Sequence, residues 1–344
     1  MVYTRGRAEI EAPAPFFNYM KFILWKPILK LVLREFFIAV FLLLGVSIVI
    51  FSILHLAPGD PLHIFINIQT QNPEDVALLK RELGLDRAIP IQYLSWLNKL
   101  LHGNFGNSFR TGKPVFGELI KVGVNTLMLT IGSMIVTLLI AIPIAVISSL
   151  RRHPVLSWGL TLFAYILSAL PVFYLGYIVI YIFTKKFNLF PFLPSGAVSS
   201  SKFNLIYFFL PIMVLGVGNG SISEIVRHLK MQLERVLSED YIKAAKAKGA
   251  SIWRHSFKEG ILIPVTTMVA AKIPFILGGA VVVEQVFNWP GMGRLAWQAA
   301  LDRDYPVIMG ITLFAAVFVH VGRLTQTLVF AFVNPQTGEK GEGD

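Results

Sequence analysis

The sequence predicts an all-α polytopic membrane protein: six transmembrane helices, an extracytoplasmic segment between spans 1 and 2, and a cytoplasmic loop between spans 4 and 5. Three observations carry this. Of 344 residues, 55% are hydrophobic and 15% charged, with a mean hydropathy of +0.64, too apolar for an ordinary soluble domain. Six segments reach the roughly twenty mostly apolar residues that cross a hydrocarbon core, far longer than the ~10 alternating residues of a barrel strand. Lys and Arg, 31 against 20 Asp and Glu, crowd beside those segments instead of forming the aromatic-interleaved basic patch of a nucleic-acid binder. Membrane lipid is therefore an expected partner and nucleic acid is not. The chain has no cysteine, so disulfides, thiolate metal sites and cysteine nucleophiles are excluded.

Residues 1–35 read as a cytoplasmic tail followed by an interfacial helix, because 16–35 mix aromatic residues with Lys and Arg and contain Pro27. Span 1, residues 36–57, ends in Leu56-Ala57-Pro58-Gly59-Asp60-Pro61 without a small-x-small cleavage site. It is expected to be a retained helix and not a removed leader. Residues 58–121 form the extracytoplasmic segment. The core, residues 122–332, holds spans at Val122 to Ser148, Trp158 to Thr184, Leu205 to Ile222, Pro264 to Gln285 and Pro306 to Phe332, with residues 223–263 as the cytoplasmic loop. Residues 333–344 are a short tail. Arg5, Arg7, Lys21, Lys26, Lys30 and Arg34 before span 1, and Arg151 and Arg152 after span 2, put both termini in the cytoplasm.

The loop from Ser223 to Ile263 adds Arg227, Lys230, Arg235, Lys243, Lys246, Lys248, Arg254 and Lys258 to the cytoplasmic side. Ser238 can cap a helix whose first turn carries Glu239 and Asp240 and whose last turn carries lysines, the charge order that a helix dipole favours. Gly249 can stop it. On that helix Tyr241, Ala244, Ala245, Lys248 and Gly249 fall on one face that is nearly flat at its centre. Such a face admits another protein surface, or lets the hairpin pack on the membrane bundle. Ser251 can cap a second helix, Ile252 to Glu259, carrying Trp253 and Phe257 four apart, with Gly260 ending it.

The run Lys243-Ala244-Ala245-Lys246-Ala247-Lys248-Gly249 resembles the EAA loop of permease subunits in ATP-binding cassette importers, with Lys243 where the consensus has Glu. Leu83-Gly84-Leu85-Asp86-Arg87, Gly103-Asn104-Phe105-Gly106-Asn107-Ser108, Gly278 to Glu284, Trp289-Pro290-Gly291-Met292-Gly293 and Arg303-Asp304-Tyr305-Pro306 extend the resemblance over nearly the whole chain. It is closest to permeases of dipeptide, oligopeptide and nickel importers. The resemblance implies an inner or plasma membrane transport subunit that is not an enzyme. It further implies a homologous second permease, two cytoplasmic ATPase subunits and an extracytoplasmic solute-binding protein as partners. ATP and Mg would be held by the ATPases, with no cofactor in this chain, which lacks a Gly-x-x-x-x-Gly-Lys-Ser/Thr run. The ATPase-coupling residues it points to are Asp240, Tyr241, Ala244, Ala245, Lys248, Gly249, Ser251 and Arg254.

Lys272, Glu284 and Asn288 are the candidate path or gate residues. A charge at mid-bilayer costs about 2.5 to 3.5 kcal/mol on insertion scales, so Lys272 should face the bundle or an aqueous path. The sequence offers it no visible acidic partner, which favours a cation hydrogen-bonded within the bundle or to the partner permease. Glu284 falls near the outer end of span 5, where the resembled family has a glutamate close to the gate; a water-exposed interfacial acid is the competing reading. The seven histidines show no metal-ligand spacing. A secondary active transporter would show broken-helix repeats with several intramembrane acids, and a membrane enzyme would show paired carboxylates or a nucleophile with its base. Neither pattern is present.

Overall fold

The computed structural model of the chain describes residues 15–56, 78, 80–81, 84–149, 154–185, 205–218, 220–251 and 256–333. Its described regular elements are helices. They are α1 (Pro15–Leu56), α2 (Ile89–Leu101), α3 (Val115–Ser149), α4 (Pro154–Ala169), α5 (Val172–Lys185), α6 (Leu205–Gly218), α7 (Ser221–Ser238), α8 (Asp240–Ala247), α9 (Ile263–Val286), α10 (Met292–Asp302) and α11 (Tyr305–Val333). Three stretches are single helices long and apolar enough to cross a membrane, Val32–Leu56, Val115–Ser149 and Tyr305–Leu328, and two bent pairs bring the number to five.

Hydrocarbon leaves backbone groups no partner but the chain itself, which is why every long apolar run here is helical. The differences from expectation lie in where the helices begin and bend. Helix α1 continues through residue 36, so no helix end separates an interfacial helix from span 1. Helix α3 begins at Val115, not Val122, so the last turns of the expected extracytoplasmic segment already belong to it. The run expected as span 3 is two helices, α4 and α5, meeting at 92°, with Pro171 between them. Proline lacks an N–H and clashes with the preceding turn, so the break falls where sterics demand.

Span 4 is corrected in the same way. It bends by 54° between α6 and α7, with Gly220 in the left-handed region at φ +70°. Helix α7 then carries the supposed loop residues from Ser223 onward back along the bundle. Its Ile222, Ile225, Val226, Leu229, Leu233 and Val236 are buried at helical spacing, and its polar residues occupy the other face. The two bends are stacked. Ser223 N–H donates to Ser168 Oγ at 3.1 Å, and a methyl on Gly218 would lie 2.8 Å from Leu175 Cδ1 and 3.1 Å from Val172 Cα.

Helix α3 is the post around which the others assemble. Its Leu129, Met134 and Val136 pack with Leu210, Val214 and Leu215 of α6 and Val283 of α9. Its Ala141, Ile144 and Ala145 meet α4 and α7, and its Val115 and Leu119 meet α10 and α11. Lipid is as apolar as protein, so association in the bilayer rests on close packing of small residues and on polar bonds. Both are found where α3 crosses α6. A methyl on Gly216 would sit 2.7 Å from the Ser133 carbonyl oxygen, and Thr137 Oγ1 donates to the Gly216 carbonyl at 2.7 Å.

Gly216→Ala is expected to cost about 1 to 3 kcal/mol through overpacking against backbone, read as a lowered thermal unfolding midpoint of the purified protein in detergent. Gly45→Ala, where nothing lies within 4 Å of the added carbon, is expected to leave that midpoint unchanged or raise it.

Candidate functional site

The connection between α7 and α9 is built from α8 outward. Glu239, extended at φ −66° and ψ 147°, ends α7 and starts α8, and its carbonyl accepts from Ile242 and Lys243 N–H at 3.1 and 3.2 Å. The cap is therefore Glu239, not Ser238, which is the last residue of α7. Asp240 and Lys243 form an ion pair at 2.8 Å across one helical turn. Hydrogen bonding and the charge of Lys243 hold the Asp240 carboxyl below its usual range, and the same bond and charge raise the Lys243 ammonium.

Gly249 ends the helix as expected. At φ +72° it allows Ala250 N–H to reach the Ala245 carbonyl at 2.9 Å and its own N–H to reach Lys246 at 3.1 Å. This reversal satisfies two carbonyls of the last turn and favours a residue without a β-carbon.

The helix has a clear inside and outside. Ile242 and Ala245 are buried, whereas Asp240, Tyr241, Ala244, Lys248, Gly249 and Ser251 are exposed. Ala245 thus belongs to the packing side, and the open face is Tyr241, Ala244 and Lys248, three and seven residues apart. Arg254 lies outside the described residues. Tyr241 donates its hydroxyl to Glu259 Oε2 at 2.8 Å. Partial burial, then the Glu259 carboxylate, push that phenol up to about 12, so it stays a donor at physiological pH.

Past the connection, the chain is helical by Ser256 and passes through a π turn, Lys258–Leu262, directly into α9. Gly260 does not end a helix, contrary to expectation. It lies in the π turn, where a methyl would meet Leu233 Cδ2 at 2.9 Å. Residues 252–255, the first half of the expected helix Ile252 to Glu259, lie outside the described residues.

The candidate path residues fall in two places. Lys272 is ion-paired to Glu224 of α7, an acid overlooked when residues from 223 onward were read as solvated loop. Glu284 is fully buried, which overturns the water-exposed reading. Its carboxylate accepts from Thr126 Oγ1 at 2.7 Å and from Arg294 N–H at 2.9 Å, and Thr126 in turn accepts from Met292 N–H at 2.8 Å. Asn125 Nδ2 reaches the Pro290 carbonyl at 2.8 Å, and Trp289 Nε1 returns to the Asn125 carbonyl at 3.2 Å. Glu284 thereby seats the turn from Trp289 to Gly293 on α3. A β-carbon on Gly291 would lie 2.1 Å from Glu284 Oε1, so that turn fits over the carboxylate only without a side chain. Asn288, left-handed at φ +53°, offers its carbonyl to Arg294 Nη1 at 3.1 Å.

A second buried carboxylate, Asp304, performs the same service on the turn at residues 108–110. It accepts from Ser108 Oγ at 2.5 Å, Phe109 N–H at 3.1 Å and Arg110 N–H at 3.2 Å. Beside it Arg110 pairs with Asp302 at 2.8 Å, and Tyr305 donates to the Leu54 carbonyl at 2.8 Å. The stretches around Gly103 to Ser108 and Arg303 to Pro306, far apart in sequence, are one structural unit. Asp304 was not among the candidate site residues, though an acid just before an apolar helix is a readable cap. Thr126 gave no sequence signal. Among the described residues no group of three His, Cys, Asp or Glu could hold a metal ion.

Residues 139–338 match the family described as binding-protein-dependent transport system inner membrane component. Residues 28–141 match its N-terminal part. The chain belongs to this family. It is 36% identical to an oligopeptide transport system permease protein of Bacillus subtilis, covering 89% of this chain and 98% of the relative. A glutathione transport system permease protein of Salmonella choleraesuis is 34% identical, over 85% and 94%, and a dipeptide transport system permease protein of Escherichia coli is 31% identical, over 91% and 99%. This inner membrane component is thus a multi-pass permease subunit of an ATP-binding cassette importer, not an enzyme, and works with permease, ATPase and binding-protein components.

Thr126→Val removes one bond to the permease's buried Glu284 carboxylate and one from Met292 N–H. It is expected to destabilise the purified protein by about 2 kcal/mol or more, measured by thermal unfolding, with Thr126→Ser restoring most of the loss because it keeps the hydroxyl.

Proposed function

We propose that this permease forms half of the membrane path of a peptide importer and is driven through α8 by cytoplasmic ATPases. The observation that carries this is the two-sidedness of α8. Ile242 and Ala245 bind it to the fold while Tyr241, Ala244 and Lys248 are left open around a methyl-sized centre, a surface that another protein can approach closely. The peptide class is supported by relatives named for oligopeptide, dipeptide and glutathione transport.

In this reading the chain spans the membrane six times with both termini inside, α9 being the span that joins the three single helices and two bent pairs. A homologous second permease completes the path, two ATPases hold ATP and Mg, and α8 docks against one of them. Closure of the ATPases on ATP displaces α8. The displacement passes to α7 through Ile242 and Ala245 and to the base of α9 through the Tyr241 to Glu259 bond, so that the bundle rocks as a body between its two openings. Residues 58–121 face outward and receive the binding protein. Supporting that role is a cavity of about 760 Å³ there, lined by Arg81, Arg87, Lys99 and Arg110 among others.

The test is reconstitution. Vesicles holding both permeases and both ATPases, with loaded binding protein, are expected to take up peptide only with ATP, and this chain alone is expected to take up none. Ion-gradient-driven uptake by the lone chain would overturn the reading in favour of a secondary transporter. Ala244→Trp is expected to leave membrane insertion and folding intact yet reduce ATPase co-purification and peptide uptake by at least about tenfold, since side chains at the centre of an interface dominate its energy. Ala245→Trp, on the buried side, is expected to lower the unfolding midpoint instead. A single cysteine at the exposed Asn107, in a chain with none of its own, is expected to react with an impermeant thiol reagent from outside. Reaction only after the membrane is broken would reverse the topology.

A further inference from the structure

The Glu224 to Lys272 pair is not used by the coupling surface or by the two carboxylate locks. Lys272 lies nine residues into α9, about 14 Å from its start at 1.5 Å per residue, and the helix continues about 21 Å beyond it. The pair is thus inside the bilayer. Glu224 sits on the first turn of α7, just past the Gly220 bend and at the level where the α4/α5 break is stacked on it. Broken helices at mid-membrane are tolerated where they are buried or line a cavity, and such breaks mark solute sites in other transporters.

The two partners are unequally covered. The Lys272 side chain is 14% exposed and that of Glu224 41%, so the cation lies behind and the carboxylate in front. Only Oε2 of Glu224 meets Lys272, and among the described residues Oε1 accepts no hydrogen bond. A polar carboxyl group with one oxygen open does not face hydrocarbon, because intramembrane polar and charged groups turn to the protein interior or to water.

We propose that Glu224 is a station on the path for the ammonium group of the solute, with Lys272 behind it holding the carboxylate in place. The chain itself shows the fit, since the group already bound to Oε2 is a primary ammonium. A peptide's α-ammonium carries the same three N–H donors and finds Oε1 vacant, whatever side chains follow it. Contacts confined to the terminus let one site pass peptides of different sequence. This rests on the peptide reading above and adds which end of the solute is recognised.

The experiment uses the complete reconstituted complex with loaded binding protein and free peptides of two to five residues. Glu224→Gln is expected to slow uptake by at least about tenfold, the size of one charge-assisted hydrogen bond, while both permeases and ATPases still co-purify. Glu224→Asp, which keeps the charge, is expected to recover most of it. The exchanged pair Glu224→Lys with Lys272→Glu discriminates further. It restores an ion pair but turns a cation toward the path, and is expected to leave uptake low. Normal uptake by Glu224→Gln, recovery by the exchanged pair, or failure of Glu224→Gln to assemble would each make the pair a tie within the bundle or to the second permease and overturn the proposal. Absence of peptide uptake by the wild-type complex would instead sink the peptide reading, and this inference with it.

Discussion

Apolar side chains gain nothing by leaving lipid for protein, so a membrane bundle is held by how closely its backbones approach and by the polar bonds that closeness permits. In this permease both converge on α3. Gly132 and Gly216 mark its crossing with α6 and Gly123 its crossing with α11, each with a neighbour within 3 Å of a would-be methyl. Thr126 and Thr137 supply the polar bonds. A larger residue at any of these crossings would separate two helices and break the bonds beside it.

The end that holds Glu284 and Asp304 is organised by a different device. Both are buried carboxylates: Asp304 accepts from backbone N–H groups of the turn at Phe109 and Arg110, and Glu284 from the Thr126 hydroxyl and from Arg294 N–H in the first turn of α10. Each converts a polar turn, which hydrocarbon could not hold, into a seated lid on the helices beneath. The motif-like stretches around Ser108 and around Trp289 to Gly293 are thus the parts held in place by a buried carboxylate. At the other end, among the described residues, the connection around α8 buries Ile242 and Ala245 and ties the Tyr241 phenol to Glu259.

The sequence made the class of fold legible because bilayer length and helix rise set the number and size of apolar runs. It located α8, its lysine-rich end and its Gly249 stop, since each follows from local backbone rules. It did not reveal which face of α8 turns inward. Alanines at neighbouring positions look alike until Ile242 and Ala245 are seen to be the buried ones. The bends of spans 3 and 4 were missed although Pro171 and Gly220 were visible, because an unbroken average of hydropathy hides a change of direction. Missing the second bend also hid the partner of Lys272, which lies 48 residues away on a helix that was read as loop.

The π turn at Lys258–Leu262 has a mechanical meaning. Gly260 is pressed on Leu233 and Tyr241 is tied to Glu259, so the foot of α9 is held to both α7 and α8. Helix α9 then behaves as a lever about 36 Å long, 24 residues at 1.5 Å each. A tilt of roughly 5° at the π turn sweeps the other end of α9 through about 3 Å, comparable to the length of a hydrogen bond. That end carries Glu284, so such a tilt would be felt at its bonds to Thr126 and Arg294 without any helix having to unfold.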